Sequence, residues 1–224
     1  RLRMVNECFI LNDTNLAAIF AKRGRSYQSL KSALPAWTLF YNVAGYKYFP
    51  EERISARVKD ITDMTQRLGV EATKSVGGLS ANEILKAVQQ PSPEPYWKLR
   101  QQGACEDVFF QTIDKKIQDQ LAAMNDVVDR AGYSASEMGV YLQPVVQGTG
   151  CHCEFNLFYD PDNAVEKDRV RDLTTDATRA LLARGAFFSR PYGINAGAVF
   201  NRDAATVMML RKLKKMFDPN GIMN

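Results

Sequence analysis

The sequence predicts an α+β fold, a large and mostly antiparallel sheet with helices on one face, built from two ferredoxin-like halves. Three observations carry this. A helical run over Pro50–Leu68 lies between two strand-like runs, Trp37–Tyr46 and Val70–Val76. The same rhythm returns where strand-like Asp107–Ile113 precedes a helical run that stops at Gly132. Two further strand-like runs, Met138–Val146 and Cys151–Tyr159, meet at Gly148-Thr149-Gly150, the chemistry of a tight hairpin.

Each element has its own justification. Leu2–Leu11 is rich in strand formers, and Asp13 or Thr14 then offers a cap for a short helix through Ala21. Trp37–Tyr46 is aromatic and β-branched. In the next run Ile54, Val58, Ile61, Met64 and Leu68 recur every three or four residues, with Pro50 suited to a first turn and Gly69 to a stop. Gln90-Pro91-Ser92-Pro93-Glu94-Pro95 is proline-punctuated and separates the halves, about 1–90 and 96–189. Ile117, Leu121, Met124 and Val128 mark the second half's first helix. Asn163 with Glu166 forms a capping-box start for a helix that buries Val165, Val170, Leu173, Ala177 and Leu181 and ends at Gly185. Asp203 caps a last helix through Val207, Leu210, Leu213 and Phe217, and Asp218-Pro219-Asn220-Gly221 is a turn by its chemistry.

The chain has 224 residues, 46% apolar and 24% charged, enough to bury a substantial core. Its net charge of +4 comes from interleaved acidic and basic residues, without the basic stripe that tracks a phosphate backbone, so no nucleic-acid partner is expected. The cluster Arg211-Lys212 with Lys214-Lys215 suits a helix C-terminus. The longest uncharged stretches carry Pro, Gly, Asn and Gln and fall short of the ~20 apolar residues of a membrane span. Cys8, Cys105, Cys151 and Cys153 are too sparse for a disulfide scaffold, and a reduced, cytoplasmic protein is expected. Arg1 opens without an initiator Met or a signal-type stretch, so the chain is expected to be cut from something longer.

Function-grade residues gather on one strand. Alternation along Cys151–Tyr159 places Cys151, Cys153, Phe155, Leu157 and Tyr159 on one face and His152, Glu154, Asn156 and Phe158 on the other. A hairpin centred between Gly148 and Thr149 sets Tyr141 opposite Asn156, Gln143 opposite Glu154 and Val145 opposite His152. A polar patch of Tyr141, Gln143, His152, Glu154 and Asn156 results, although a half-exposed sheet face also carries polar residues in the ordinary course. His152, the single histidine, stands two residues from a carboxylate and suits proton transfer. Cys-His-Cys cannot close on one tetrahedral ion from a strand, so no metal is expected. Val76-Gly77-Gly78-Leu79 lacks the lysine of a P-loop and the third glycine of a dinucleotide turn, and no Gly-x-Ser-x-Gly elbow occurs. Arg190, in Phe187-Phe188-Ser189-Arg190-Pro191-Tyr192-Gly193, either pairs with a core carboxylate or presents its fork to an anionic oxygen.

The ending Phe217-Asp218-Pro219-Asn220-Gly221-Ile222-Met223-Asn224 resembles the C-terminal signature of FAD-linked oxidases of the vanillyl-alcohol oxidase and para-cresol methylhydroxylase type. Arg3-Met4-Val5-Asn6, the Trp37–Gly45 strand and the His152 strand are similar to that family's cap region. The resemblance implies an FAD-dependent oxidoreductase. Residues 1–189 would form the cap or substrate domain over the flavin. Residues 190–224 would return to an FAD-binding domain on the same or a separate chain. It implies that Arg190 holds an anionic substrate oxygen, with Ser189 where phenol-oxidising members carry a Tyr. With the polar patch read above, His152, Glu154 and Arg190 are expected to be catalytic, and Tyr141, Gln143, Asn156, Ser189 and Tyr192 to bind substrate. His152, Cys153, Asn220 and Gly221 would meet the cofactor, since some members bond FAD covalently through a histidine on this strand. Implied partners are a small-molecule substrate, an FAD-binding domain, an electron-acceptor protein as an open option, and further copies in a homo-oligomer.

Two alternatives stand beside this one. The halves could form a non-catalytic α+β module that binds a ligand or protein. The strand also echoes the Gly-Asp-Gly-Asn-Leu-His metal motif of 2-hydroxy-acid dehydrogenases at Glu154, Asn156 and Leu157, but Cys151 and Phe158 stand where its histidines belong.

Overall fold

The computed structural model describes residues 4–22, 24–145, 149–193, 195–201 and 203–223. The expectations placed on Leu2, Arg3, Val146, Gly148 and Asn224 lie outside those residues. Strands β1 (Glu7–Asn12), β2 (Trp37–Asn42), β5 (Ala104–Thr112), β6 (Gly139–Val145) and β7 (Gly150–Tyr159) form a five-stranded sheet in the order β2-β1-β6-β7-β5. Every neighbouring pair in it is antiparallel. A separate two-stranded ribbon pairs β3 (Ser75–Val76) with β4 (Leu79–Ser80). The mixed α+β class with a mostly antiparallel sheet is therefore the one the sequence predicts.

The halves contribute unequally. The expected strand Val70–Val76 shrinks to Ser75–Val76, because Gly77 and Gly78 take positive φ and turn the chain at once into β4. Its ribbon stands apart from the main sheet, so the first half supplies only β1 and β2. The second half supplies β5, α5 (Ile117–Arg130), β6, β7 and α6 (Ala164–Ala183).

Helices α5 and α6 cover one sheet face. The inward residues of β5, β6 and β7, among them Val108, Phe110, Val140, Leu142, Cys153, Phe155 and Leu157, pack there against Met124, Val127, Leu173, Ala177 and Leu181. Tyr133, just after α5, ties this layer to the sheet: its hydroxyl accepts from Phe158 N at 3.0 Å and donates to Phe158 O at 3.1 Å. On the opposite face a smaller core joins Phe9, Leu11 and Phe40 to helices α1 (Asp13–Phe20), α2 (Tyr27–Ala33) and α4 (Ala81–Gln89). This second layer closes only the β1–β2 end. The remainder of that face, on β6, β7 and β5, carries the polar residues.

Caps explain several boundaries. Asn12, one residue before the expected caps, accepts from Asn15 N at 3.1 Å and also from Val140 N at 2.9 Å, so one side chain starts α1 and fixes β6 beside it. Ser80 and Glu83 form a reciprocal capping box at α4. At α6, Asn163 caps Val165 N and Glu166 N, whereas Glu166 reaches back to Asp160 N instead of closing a box on Asn163.

Two apolar stripes are not buried as expected. Of the residues marking α3 (Pro50–Arg67), only Ile61 is buried, while Val58, Met64 and Leu68 are exposed. Val165 is likewise exposed, as are Leu210, Leu213 and Phe217 of α8 (Ala204–Phe217), which follows α7 (Asn195–Phe200). No helix among the described residues is long and apolar enough to cross a membrane.

Candidate functional site

Strand β7 places His152, Glu154 and Asn156 on the open sheet face. The β6 register sets Glu154 opposite Tyr141, His152 opposite Gln143 and Asn156 opposite Gly139. This corrects the expected pairing by two residues, because Gly150 joins the strand opposite Val145 instead of belonging to the turn. The shift is even, so every side chain keeps its face and the expected patch survives. From the other side, β5 sets Asp107, Phe109 and Gln111 opposite Asn156, Glu154 and His152.

At the centre a buried cation joins two carboxylates. Lys98, in a 3-10 turn over Trp97–Leu99, is 8% exposed, and its Nζ lies 2.6 Å from both Asp107 Oδ2 and Glu154 Oε1. Asn156 Nδ2 donates to Glu154 Oε1 at 2.7 Å and to Asp107 Oδ1 at 2.6 Å. These acceptors fix the Asn156 amide, whose Oδ1 then accepts from Asn15 Nδ2 at 2.8 Å. Asn15 Oδ1 is left buried without a donor among the described residues. Cys105 Sγ lies 3.4 Å from Asp107 Oδ1, and burial together with that carboxylate pushes its thiol well up.

Burial works against the charge on Glu154, but the His152 hydrogen bond and the Lys98 ammonium outweigh it and hold its carboxyl at about 2. Burial likewise opposes the charge on Lys98, and Glu154 and Asp107 override it, raising Lys98 above its ordinary value. The Tyr141 hydroxyl is pushed up to about 12, first by burial and then by Glu154. His152 Nε2 faces Glu154 Oε2 at 3.5 Å.

Aromatic rings frame these groups. Tyr141 meets the His152 ring edge-on at 5.9 Å, and Phe109 lies 6.1 Å from it on the other side. Tyr192 packs on Phe109 at 5.9 Å, and the Arg190 guanidinium stands over that same ring at 5.5 Å. Arg190 is exposed and pairs with no carboxylate among the described residues, which leaves its fork presented outward. His152 and Arg190 therefore share one face, with Phe109 between them.

Beside the patch opens a cavity of about 650 Å³, a size typical of small-molecule sites. Phe9, Leu11, Ile19, Phe20, Tyr141 and Trp97 give it apolar walls, and Asn15, Lys98, Gln143, Glu154 and Asn156 line it with polar groups. The segment Gln90–Pro93 and Tyr96 form a further wall. Arg190, Tyr192, Asp107 and Phe109 instead line a small recess of about 20 Å³.

Of the residues marked from sequence, Tyr141, Gln143, His152, Glu154 and Asn156 come together, and Arg190 and Tyr192 join them through Phe109. Ser189 is exposed beside Arg190. Cys153 is not with them: it is 2% exposed in the core beneath the sheet, facing away from His152, which removes it as a cofactor contact on the open face. Asn220 and Gly221 lie in the turn after α8, away from both cavities. There the Asp218 carboxylate accepts from Ile222 N and Met223 N and pairs with Lys214. Cys151 is in the core as well, so it and His152 are on opposite faces, and no metal-ligating group of three forms among the described residues.

Sequence reasoning missed Lys98, Asp107, Asn15 and Trp97. Asp107 was legible, as an acidic residue inside a strand-like run. Lys98 and Trp97 follow a proline-rich stretch that reads as a linker, and Asn15 sits among small residues of a short helix. Only the tertiary fold brings these to the patch.

Comparison with known proteins agrees with this layout. The sequence profile of the FAD linked oxidases, C-terminal domain, matches residues 10–224. No curated protein sequence matches the chain. Among solved structures, p-cresol methylhydroxylase with substrate bound is similar with a TM-score of 0.72 and 14% identity, over 96% of this chain and 45% of that one. The 4-ethylphenol oxidase from Gulosibacter chungangensis, in its isoeugenol complex, is similar with a TM-score of 0.67 and 14% identity, over 96% of this chain and 46% of that one. The chain thus spans less than half the length of either structure. At this identity the structures speak to the fold, whereas the profile covers nearly all of the sequence, and on that ground the chain belongs to the FAD linked oxidases, C-terminal domain, family.

Proposed function

We propose that this chain forms the substrate side of an FAD-dependent oxidoreductase that takes a hydride from an aromatic or alcohol substrate. The observation that carries this is the His152–Glu154 pair on the open sheet face, framed by Tyr141 and Phe109 and adjoining the 650 Å³ cavity. FAD is the group the family implies. The residues present fit contact with a flat ring system: the aromatic side chains offer stacking surface and the Glu154 carboxylate a hydrogen-bond acceptor. They offer no Gly-rich loop for the pyrophosphate, which suits a domain that meets only the ring. When bound, FAD supplies the two-electron acceptor that no side chain can provide.

The chain's own groups handle binding and the proton. With Nε2–H donated to Glu154 Oε2, His152 presents Nδ1 as a base for the hydroxyl proton of an alcohol, while Glu154, ionised, orients the ring. Arg190, on the far side of Phe109, binds an anionic substrate oxygen with its free fork, and Tyr192 walls that position. Residues 190–224 are the segment proposed to pack on the FAD-binding domain, consistent with the exposed Met208, Met209, Phe217, Ile222 and Met223.

The test is anaerobic bleaching of flavin absorbance in the FAD-loaded full-length protein by benzyl alcohol and by p-cresol. His152→Gln is expected to slow flavin reduction by ~10²-fold or more, the usual size of a general-base contribution. Reduction at the wild-type rate in that variant discards the catalytic assignment, and absence of any flavin binding discards the function.

A further inference from the structure

The stretch Gln90-Pro91-Ser92-Pro93-Glu94-Pro95 is part of a built wall. Arg100 Nε donates to Pro95 O at 2.9 Å, and its Nη2 reaches Ser92 Oγ and Pro93 O, each at 3.3 Å. Its Nη1 lies 3.4 Å from Ile19 O and ties the wall to α1. Trp97 packs on Phe158 of β7 at 6.3 Å. From this wall Lys98 reaches the sheet floor and joins β5 to β7 through Asp107 and Glu154.

This arrangement uses up the cavity's inner positive charge. Lys98 is neutralised by two carboxylates, and Arg100 is turned to backbone carbonyls and a hydroxyl. Lys22 is exposed, and Glu7 adds a further carboxylate to the lining. One acceptor remains open: among the described residues Glu154 Oε2 makes only the long 3.5 Å contact to His152, since Oε1 takes both Lys98 and Asn156. Asn15 Oδ1, packed against Gly139, is buried out of reach of a ligand.

We propose that Lys98 is a positioning residue that fixes Glu154 as an anionic acceptor at the cavity floor, and that the cavity thereby selects neutral ligands bearing a hydroxyl or amino donor over carboxylates. This rests on the cavity being the substrate site proposed above and concerns its floor; the anionic oxygen assigned to Arg190 would lie in the separate recess beside Phe109 and Tyr192. A donor group satisfies Glu154 Oε2, whereas a carboxylate brings more acceptors and a like charge.

Trp97 lines the cavity and Trp37, exposed on β2, does not, so a Trp37→Phe background isolates a reporter. Quenching of Trp97 is titrated with benzyl alcohol and with benzoate on the 224-residue chain. Benzyl alcohol is expected to bind at least ~10-fold more tightly, the size of one unfavourable polar contact. Lys98→Met, which frees Glu154 to take a proton and become a donor, is expected to bring the two ligands within about threefold, and Lys98→Arg to restore the preference. Equal affinity in the wild type, or an unchanged preference in a Lys98→Met chain that still unfolds cooperatively, overturns the role of Lys98 and leaves the cavity as a ligand site. If neither ligand changes Trp97 emission, the cavity is not the substrate site and both proposals fall. Should Lys98→Met not fold, Glu154→Gln decides: its amide offers a donor, and a preference retained in that variant overturns the inference.

Discussion

Asn15 Nδ2 donates to Asn156 Oδ1 at 2.8 Å, a buried bond between α1 and β7 across 141 residues of sequence. It hydrogen-bonds the small core on the open face to the carboxylate cluster. Its geometry depends on Gly139, because a Cβ there would collide with Asn15 Oδ1. Gly139→Ala is therefore expected to push the Asn15 side chain off Asn156 and cost about 2 kcal/mol, from overpacking plus a buried amide left unpaired. Urea unfolding monitored by circular dichroism checks this, and a loss within experimental scatter of zero would show that Asn15 is free to move.

Asn12 serves two elements with one amide: it caps α1, accepts from Val140 N, and donates to Met138 O at 2.8 Å. Asn12→Ala removes a cap and leaves buried backbone groups unpaired, for an expected loss of about 3 kcal/mol. Asn12→Asp keeps both acceptor roles and is expected to lose less. Equal losses in the two variants would contradict the capping account.

Acid stability isolates Glu154. Its folded-state carboxyl, held at about 2, lies below the usual value near 4.5. The stabilisation from its ionised form is thus fully present above pH ~5 and disappears as pH falls toward ~2; a shift of that size corresponds to an upper bound on the order of 3 kcal/mol. Lys98, raised above its ordinary value, keeps its charge through that window and gives up its share only in strong alkali. Denaturant midpoints measured from pH 7 to pH 2 should fall more steeply for wild type than for Glu154→Gln, and parallel curves would refute the linkage.

Phe155 is 1% exposed between the sheet and α5/α6, with its ring 6.0 Å from Phe110. Phe155→Ala is expected to cost about 4 kcal/mol through lost burial and a residual cavity. Calorimetry reads this as a lowered Tm, and because Phe155 points away from the 650 Å³ cavity, the proposed preference for benzyl alcohol over benzoate should be unchanged in the folded fraction.

Much of the architecture was legible because its signals are local. Alternation along Cys151–Tyr159 separates core from patch, and the three-and-four spacing of Val170, Leu173, Ala177 and Leu181 gives the buried stripe of α6. Helix α4 could have been read too, since Ser80 and Glu83 are a capping box before Ile84 and Leu85. Other features were not local. Whether Val58 and Met64 are covered depends on what packs beside α3, and periodicity carries no such information. Lys98 becomes a site residue only because β5 and β7 are neighbours, which brings Asp107 and Glu154 within reach of one ammonium. The proline-rich stretch before it reads as a spacer until Arg100 is seen bonding its carbonyls.

The hairpin pairing of β6 and β7 has a consequence in parity. Sliding β7 by two positions exchanges partners but keeps His152, Glu154 and Asn156 in the open, whereas deleting one residue within the strand would invert it, driving Glu154 against Leu173 and turning Phe155 outward. An even change in length thus keeps the strand's chemistry and its core on their own faces, whereas an odd one must be taken up by a bulge.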